Sequence, residues 1–272
     1  MSEPTIVLSQ LWAQNCSAEL YVNGAPISRL SNEGIDTENM AAEQWLVPGT
    51  NTIEVVIEPG STPSVARTEA KDLDYRPMAA AARLIRFKEG VKATVENGEL
   101  LVEARFEWKD GQPNRMHFPH SVGASVDLGA AHGAWLWQSA PSLTLDDALV
   151  DEARAVMDEL EAAIRGKHLD RLWALTELQM TECVRAFSAV TADFLKNELA
   201  QMIAHHTQPG FDPFLPRDRA QHDFRLVCGG RLLQLVDKDF RPSFRLVDPP
   251  TQRITHFPTY LGRVGKDLRV LR

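Results

Sequence analysis

The period of the hydrophobic pattern changes near residue 141, and that change constrains the fold more than any motif does. Up to this point apolar residues alternate with polar ones, or come in short runs broken by Gly, Pro and Asn. Beyond it they recur at spacings of three and four until His206. Strands repeat every two residues and helices about every 3.6. The break therefore predicts a β-rich domain over 1–141 and a second domain over 142–272 that begins with helices. A chain of 272 residues is long for one core, and two units of ~100–150 residues are the usual solution.

In the first stretch, residues 5–12 and 18–22 are short extended runs. Asn23-Gly24 after them favours positive φ at both central positions of a type I′ hairpin turn. Trp45-Leu46-Val47 leads through Pro48-Gly49-Thr50-Asn51 into a run over 52–58, in which Ile53, Val55 and Ile57 share a face. Runs at 83–88, 99–109, 122–128 and 133–137 bring the count to about seven or eight strands, enough for an antiparallel β-sandwich. Residues 60–78, rich in Ser, Thr, Pro, Glu and Asp, read as a long solvated loop. The stretch ELYVNGAPI (19–27) with WLVPGTNTIEVVI (45–57) resembles a strand pair of galactose-binding-like β-sandwich domains. That resemblance implies a sandwich. Sugar binding is the lesser implication, because many such domains are structural or interaction modules and fold does not settle function.

In the second stretch, Thr144 with Asp147 three residues later marks a helix start, and Asp146, Asp147 and Asp151 suit the positive end of the dipole. Leu149, Ala153, Val156, Met157, Leu160, Ala163 and Ile164 form one stripe, and Gly166 is assigned the stop as a left-handed residue. A second stripe runs from His168 to His205 without Gly or Pro. It is one helix or two, and we favour a break between Ser188 and Thr191, both of which can cap. Residues 207–219 form a proline-containing loop. A tight hairpin around Gly229-Gly230 follows, with further strands at 243–247, 253–257 and 268–271. The expectation is an α+β domain with helices over 144–205 and antiparallel strands over 222–272. This element order is loosely similar to the nuclear-transport-factor-2-like fold, in which helices on a bent sheet leave a conical pocket.

A formal charge of −8 argues against a nucleic-acid partner, which calls for a basic face. No stretch of ~18 apolar residues exists to span a membrane. Residues 1–10 lack a basic leader followed by an apolar core. Cys16, Cys183 and Cys228 are neither a disulfide framework nor a Cys-x-x-Cys knuckle, so small buried thiols in a cytoplasmic protein are expected.

Four constellations carry candidate chemistry. His117 and His120, with His132 nearby, are the metal candidates, for zinc or nickel. A spacing of three on extended backbone sends the two side chains to opposite faces, so a polar loop is the favoured reading and no cofactor is expected. His205 and His206 are catalytic candidates that also close a helix, where the dipole favours imidazolium, and adjacent positions diverge by ~100°. His222 and Asp223, with Asp212 in the preceding loop, are the general acid–base candidates. No nucleophile elbow accompanies them. Trp108, Trp135 and Trp137 are candidates to stack a sugar or anchor a partner, with Trp135 and Trp137 sharing one strand face. Core or domain seam is the favoured reading.

The function expected is therefore a non-enzymatic module that binds a protein partner or small ligand. One alternative is an enzyme with a His/Asp acid–base pocket in the C-terminal domain. The other is a carbohydrate-binding protein using the sandwich tryptophans. Homodimerisation through the tryptophan-rich face is compatible with each.

Overall fold

The computed structural model describes residues 5–31, 34–60, 70–72, 77–93, 97–109, 115–130, 133–214, 219–257 and 259–272. Antiparallel sheets fill the N-terminal region, helices follow, and further antiparallel strands close the chain. Of the described residues, those up to Ala134 form one compact unit and Trp135–Arg272 form the other.

Ten strands make up the described part of the first unit. They are β1 (Thr5–Gln14), β2 (Ser17–Val22), β3 (Ala25–Ser31), β4 (Ile35–Ala41), β5 (Thr50–Ile57), β6 (Ala70–Asp72), β7 (Met78–Lys88), β8 (Glu99–Trp108), β9 (Arg115–His117) and β10 (His120–Asp127). One four-stranded sheet runs β4-β1-β7-β8, another runs β10-β5-β2-β3, and β6 pairs with β9. Alternation sets the buried faces: β5 turns Ile53, Val55 and Ile57 inward, and β2 does the same with Ala18, Leu20 and Val22. Strands of the two sheets touch, β8 against β10 and β7 against β5.

The two turns quoted from the sequence are built as their residues require. Asn23 and Gly24 take φ of 49° and 79°, the two positive values of a type I′ turn. Asn51, fully buried, accepts from the Val47 amide at 2.7 Å and donates to the Val47 and Gly49 carbonyls at 2.8 and 3.0 Å. Asn23 donates to the Asn51 side-chain oxygen and to the Trp45 carbonyl, both at 2.8 Å. The asparagines of the two motifs therefore clamp each other.

Other expectations change. β3 and β4 carry too little alternation to be read from sequence. β7 begins at Met78 rather than at residue 83, because Ala79 to Ala82 are extended and buried between β1 and β8. Alanine favours helix intrinsically, so packing overrides propensity there. The loop expected over 60–78 lies largely outside the described residues, and the part seen at 70–72 is a strand. The strand expected over 133–137 is instead an extended entry into a short helix, α1 (Leu136–Ser139).

The second unit continues with α2 (Asp147–Arg165), α3 (Leu169–Ala186) and α4 (Ala192–His206). Its strands are β11 (Arg225–Val227), β12 (Leu232–Gln234), β13 (Phe244–Val247), β14 (Ile254–Phe257), β15 (Tyr260–Val264) and β16 (Asp267–Val270). The sheet order is β11-β12-β15-β16, with β13-β14 a separate hairpin. The N-cap of α2 is Asp146, which accepts from the Leu149 amide at 2.8 Å, and not Thr144. At the other end Gly166 is right-handed (φ −77°) and Lys167 takes the positive φ of 56°. Lys167 donates to the Ile164 carbonyl and His168 to that of Ala163, the two bonds of a Schellman closure. Gly166 makes room instead: a Cβ there would lie 2.5 Å from the His168 ring. The stripe that follows divides where Thr191 caps α4 by accepting from the Phe194 amide at 3.1 Å.

Leu149, Met157, Leu160 and Ile164 of α2 pack with Leu172, Ile203, Leu233, Leu246 and Leu261 into one core. Each such side chain contributes about 1.5–3 kcal/mol through burial. Among the described residues no helix is long and apolar enough to cross a membrane.

Candidate functional site

The second unit carries a groove of about 520 Å³ between α2, α3 and β16. Helical spacing places Glu152, Ala155, Val156 and Glu159 along one stripe of α2, and Arg171, Ala174 and Leu175 along one stripe of α3. Ala155 and Ala174 are exposed and fill little of the space between the helices, while Leu268 and Val270 of β16 supply a buried floor. Polar groups form the rim. Glu152 takes two bonds from Arg263, at 2.5 and 2.6 Å, and one from the Leu268 amide at 3.3 Å. The Arg263 guanidinium holds the Glu152 carboxyl below its usual range, and Glu152 raises Arg263 in return. Arg171 lies 3.6 Å from Glu159. Arg269 donates to the Ala174 carbonyl at 3.1 Å.

The histidines separate into two sites. His205, half-exposed at the end of α4, lies 2.5 Å through Nε2 from Asp248 Oδ1, and the Thr251 hydroxyl donates to the other oxygen of Asp248. The Thr251 hydrogen bond, followed by the contact with His205, lowers the Asp248 carboxyl below its ordinary value. His206 is buried, with Nδ1 3.0 Å from the Met202 carbonyl, so the proton sits on Nδ1. Its Nε2 is buried with no hydrogen-bond partner among the described residues. The two rings meet edge to face at 4.9 Å.

His222 and Asp223 are elsewhere. His222 forms a lone β-bridge with Asp237 and packs on Phe224, with ring centroids 5.4 Å apart. Asp223 is buried, its amide donating to the Val236 carbonyl. Asp212 pairs with Arg165. The partner that sequence reasoning missed is Asp248. It opens the run Asp248-Pro249-Pro250-Thr251, a turn signal that identifies the local bonds but not the distant histidine.

The three tryptophans are interior, each 5% exposed or less. Two guanidiniums lie over the Trp135 ring, Arg185 at 5.3 Å and Arg272 at 5.0 Å from its centre. Arg272 forms a buried ion pair with Glu182, which also accepts from the Leu136 amide at 2.6 Å. The cluster fastens residues 135 and 136 to α3. With no ring face open, none of the three can stack a sugar as they stand.

His117 ends β9 and His120 starts β10, with buried Phe118 between them. His120 packs on Phe106 at 5.2 Å. His132 lies outside the described residues. Among the described residues no three His, Cys, Asp or Glu side chains gather as a metal ion would require. The thiols are all unpaired. Burial pushes Cys16 up to about 11 and Cys228 up to about 12, and also raises Cys183, which is only half-buried. None is therefore a ready nucleophile at neutral pH.

A second groove, of about 360 Å³, crosses the outer face of β10, β5 and β2 beside Tyr21, Glu54 and Gly123. There the Tyr21 hydroxyl donates at 2.8 Å to Glu19, which is itself 3.4 Å from Arg29. No protein-family model matches the chain, and no curated protein or solved structure matches it.

Proposed function

We propose that the chain is a non-enzymatic binding protein, an N-terminal β-sandwich domain over 1–141 joined to an α+β domain over 142–272. In this reading the groove over α2, α3 and β16 receives a small ligand or a short segment of a protein partner. The observation that carries the proposal is the groove's composition: an apolar floor under a rim of charged groups, at a volume within the ~300–1,000 Å³ of small-molecule sites. An acidic chain disfavours nucleic acid. Unpaired thiols suit a cytoplasmic location.

A thermal-shift screen of small metabolites and peptides tests this, repeated on Ala155→Leu. Residue 155 is exposed, so the larger side chain fills the groove without crowding the core. Hits on the parent protein should vanish in the variant. Hits that survive the substitution, or no hits at all, would sink the proposal.

The enzyme reading draws on one observation, the His205–Asp248 contact. A carboxylate on Nε2 fixes the tautomer and leaves Nδ1 as the basic nitrogen. A hydrolytic activity lost in His205→Gln, with the fold intact, would favour it over the binding role.

A further inference from the structure

We propose that the groove over α2, α3 and β16 selects a monocarboxylate with a compact alkyl or aryl body, its carboxylate gripped by Arg269. This deepens the binding role above and rests on it. The charges around the groove decide the ligand's sign. Glu152 is already matched by Arg263, in two short bonds. Arg171 has Glu159 opposite it. Arg269 is different: among the described residues it makes no ion pair, and its side chain has a single hydrogen bond, to the Ala174 carbonyl in the N-terminal half of α3. A guanidinium carries five N–H donors in a planar fork, so this half-buried side chain keeps most of them for a ligand. A carboxylate matches that fork with two parallel bonds.

The same rim limits the charge. Asp267 lines the groove and repels a second negative charge, so a monoanion is preferred to a phosphate dianion. Beyond the fork, Val156, Leu175, Leu268 and Val270 offer only apolar surface, opened by the two alanines. A body of roughly six to ten carbons covers that floor within the groove's volume.

Calorimetry on the full chain with octanoate, 3-phenylpropanoate, their neutral amides and octyl phosphate tests the proposal. Both carboxylates should bind at least tenfold tighter than their amides and tighter than octyl phosphate. Arg269→Met, which keeps the apolar stem, should cost the carboxylates at least tenfold and leave the amides unchanged. Should the Met variant melt early, Arg269→Gln is the second variant, since it retains a donor for the Ala174 carbonyl without the charge. Equal binding of amides and carboxylates, tighter binding of octyl phosphate, or no effect of either Arg269 variant would overturn the monocarboxylate assignment. If Ala155→Leu still abolished binding in that case, the groove would stand as the site and only its ligand class would fall. Carboxylate binding unaffected by Ala155→Leu would overturn both.

Discussion

Asn51 in the first unit and Glu182 in the second are both sealed from solvent, yet they tolerate burial for different reasons. Asn51 is a neutral amide satisfied by the Val47 to Gly49 turn beside it and by Asn23. Its desolvation costs about 1–3 kcal/mol and the local bonds offset that. Glu182 is a carboxylate, and the penalty for burying an ion is several kcal/mol. Its compensation comes from Arg272, ninety positions along the chain, and from the Leu136 amide, forty-six positions back. The neutral solution is met mainly by the turn beside it, with Asn23 the more distant partner, whereas the charged one draws on segments farther along its unit. Burial also pushes the Arg272 guanidinium below its ordinary value while Glu182 draws it back up, so each ion needs the other.

The largest effect that would break this comparison lies at the ion pair. Glu182→Ala strands a buried guanidinium and removes the Leu136 acceptor, and should cost ~3–5 kcal/mol in urea unfolding followed by circular dichroism. The double change Glu182→Leu with Arg272→Met should recover most of that loss, because an apolar pair of similar volume carries no desolvation penalty. A loss under ~1 kcal/mol for the single change would mean that the pair is wetter than described. The next effect, in the other unit, is Asn51→Ala at about 2–3 kcal/mol, from several buried partners left unmet at once. Asn51→Asp should be at least as costly, since a carboxylate cannot donate to the Val47 and Gly49 carbonyls. A mild Asp variant would show that shape, and not donation, holds the turn.

The same distinction between near and far partners explains what could be read in the sequence. Asn23-Gly24, the Pro48 to Asn51 turn, the α2 stripe and the Thr191 cap are short-range devices, and each was legible. Local rules place the cap and closure of α2 at Thr144 and Gly166, one or two positions from Asp146 and Lys167, because several residues there satisfy the same rule. The alanines of β7 were unreadable for the opposite reason: no local preference makes them a strand, only the two neighbours that cover them. The pattern puts Trp135 on a strand face because alternation over five residues cannot distinguish a strand from an extended entry to a helix. For the candidate site the limit is sharper. His205 is legible as a candidate and Asp248 is not, and nothing near Arg269 in sequence reveals that it makes no ion pair among the described residues.

A smaller effect sharpens the comparison from within the second unit. Glu152 and Arg263 form an ion pair whose carboxylate is about a third exposed, unlike Glu182. Screening by solvent should hold its contribution to less than ~1 kcal/mol. Because Arg263 lowers the Glu152 carboxyl in the folded protein, the pair's stabilisation is fully present above the carboxyl's ordinary value of 4.5. It fades as pH falls through the lower folded value. Glu152→Gln should therefore flatten the acid limb of stability below about pH 4.5 and change little at pH 7 beyond the pair's small contribution. Raising salt to about 1 M, where the Debye length is ~3 Å, should erase most of the difference between Glu152→Gln and the parent protein. The same salt should leave the cost of Glu182→Ala intact. If salt reduced both in proportion, the buried pair would be shielded no better than the exposed one, and the contrast between the two kinds of burial would fail.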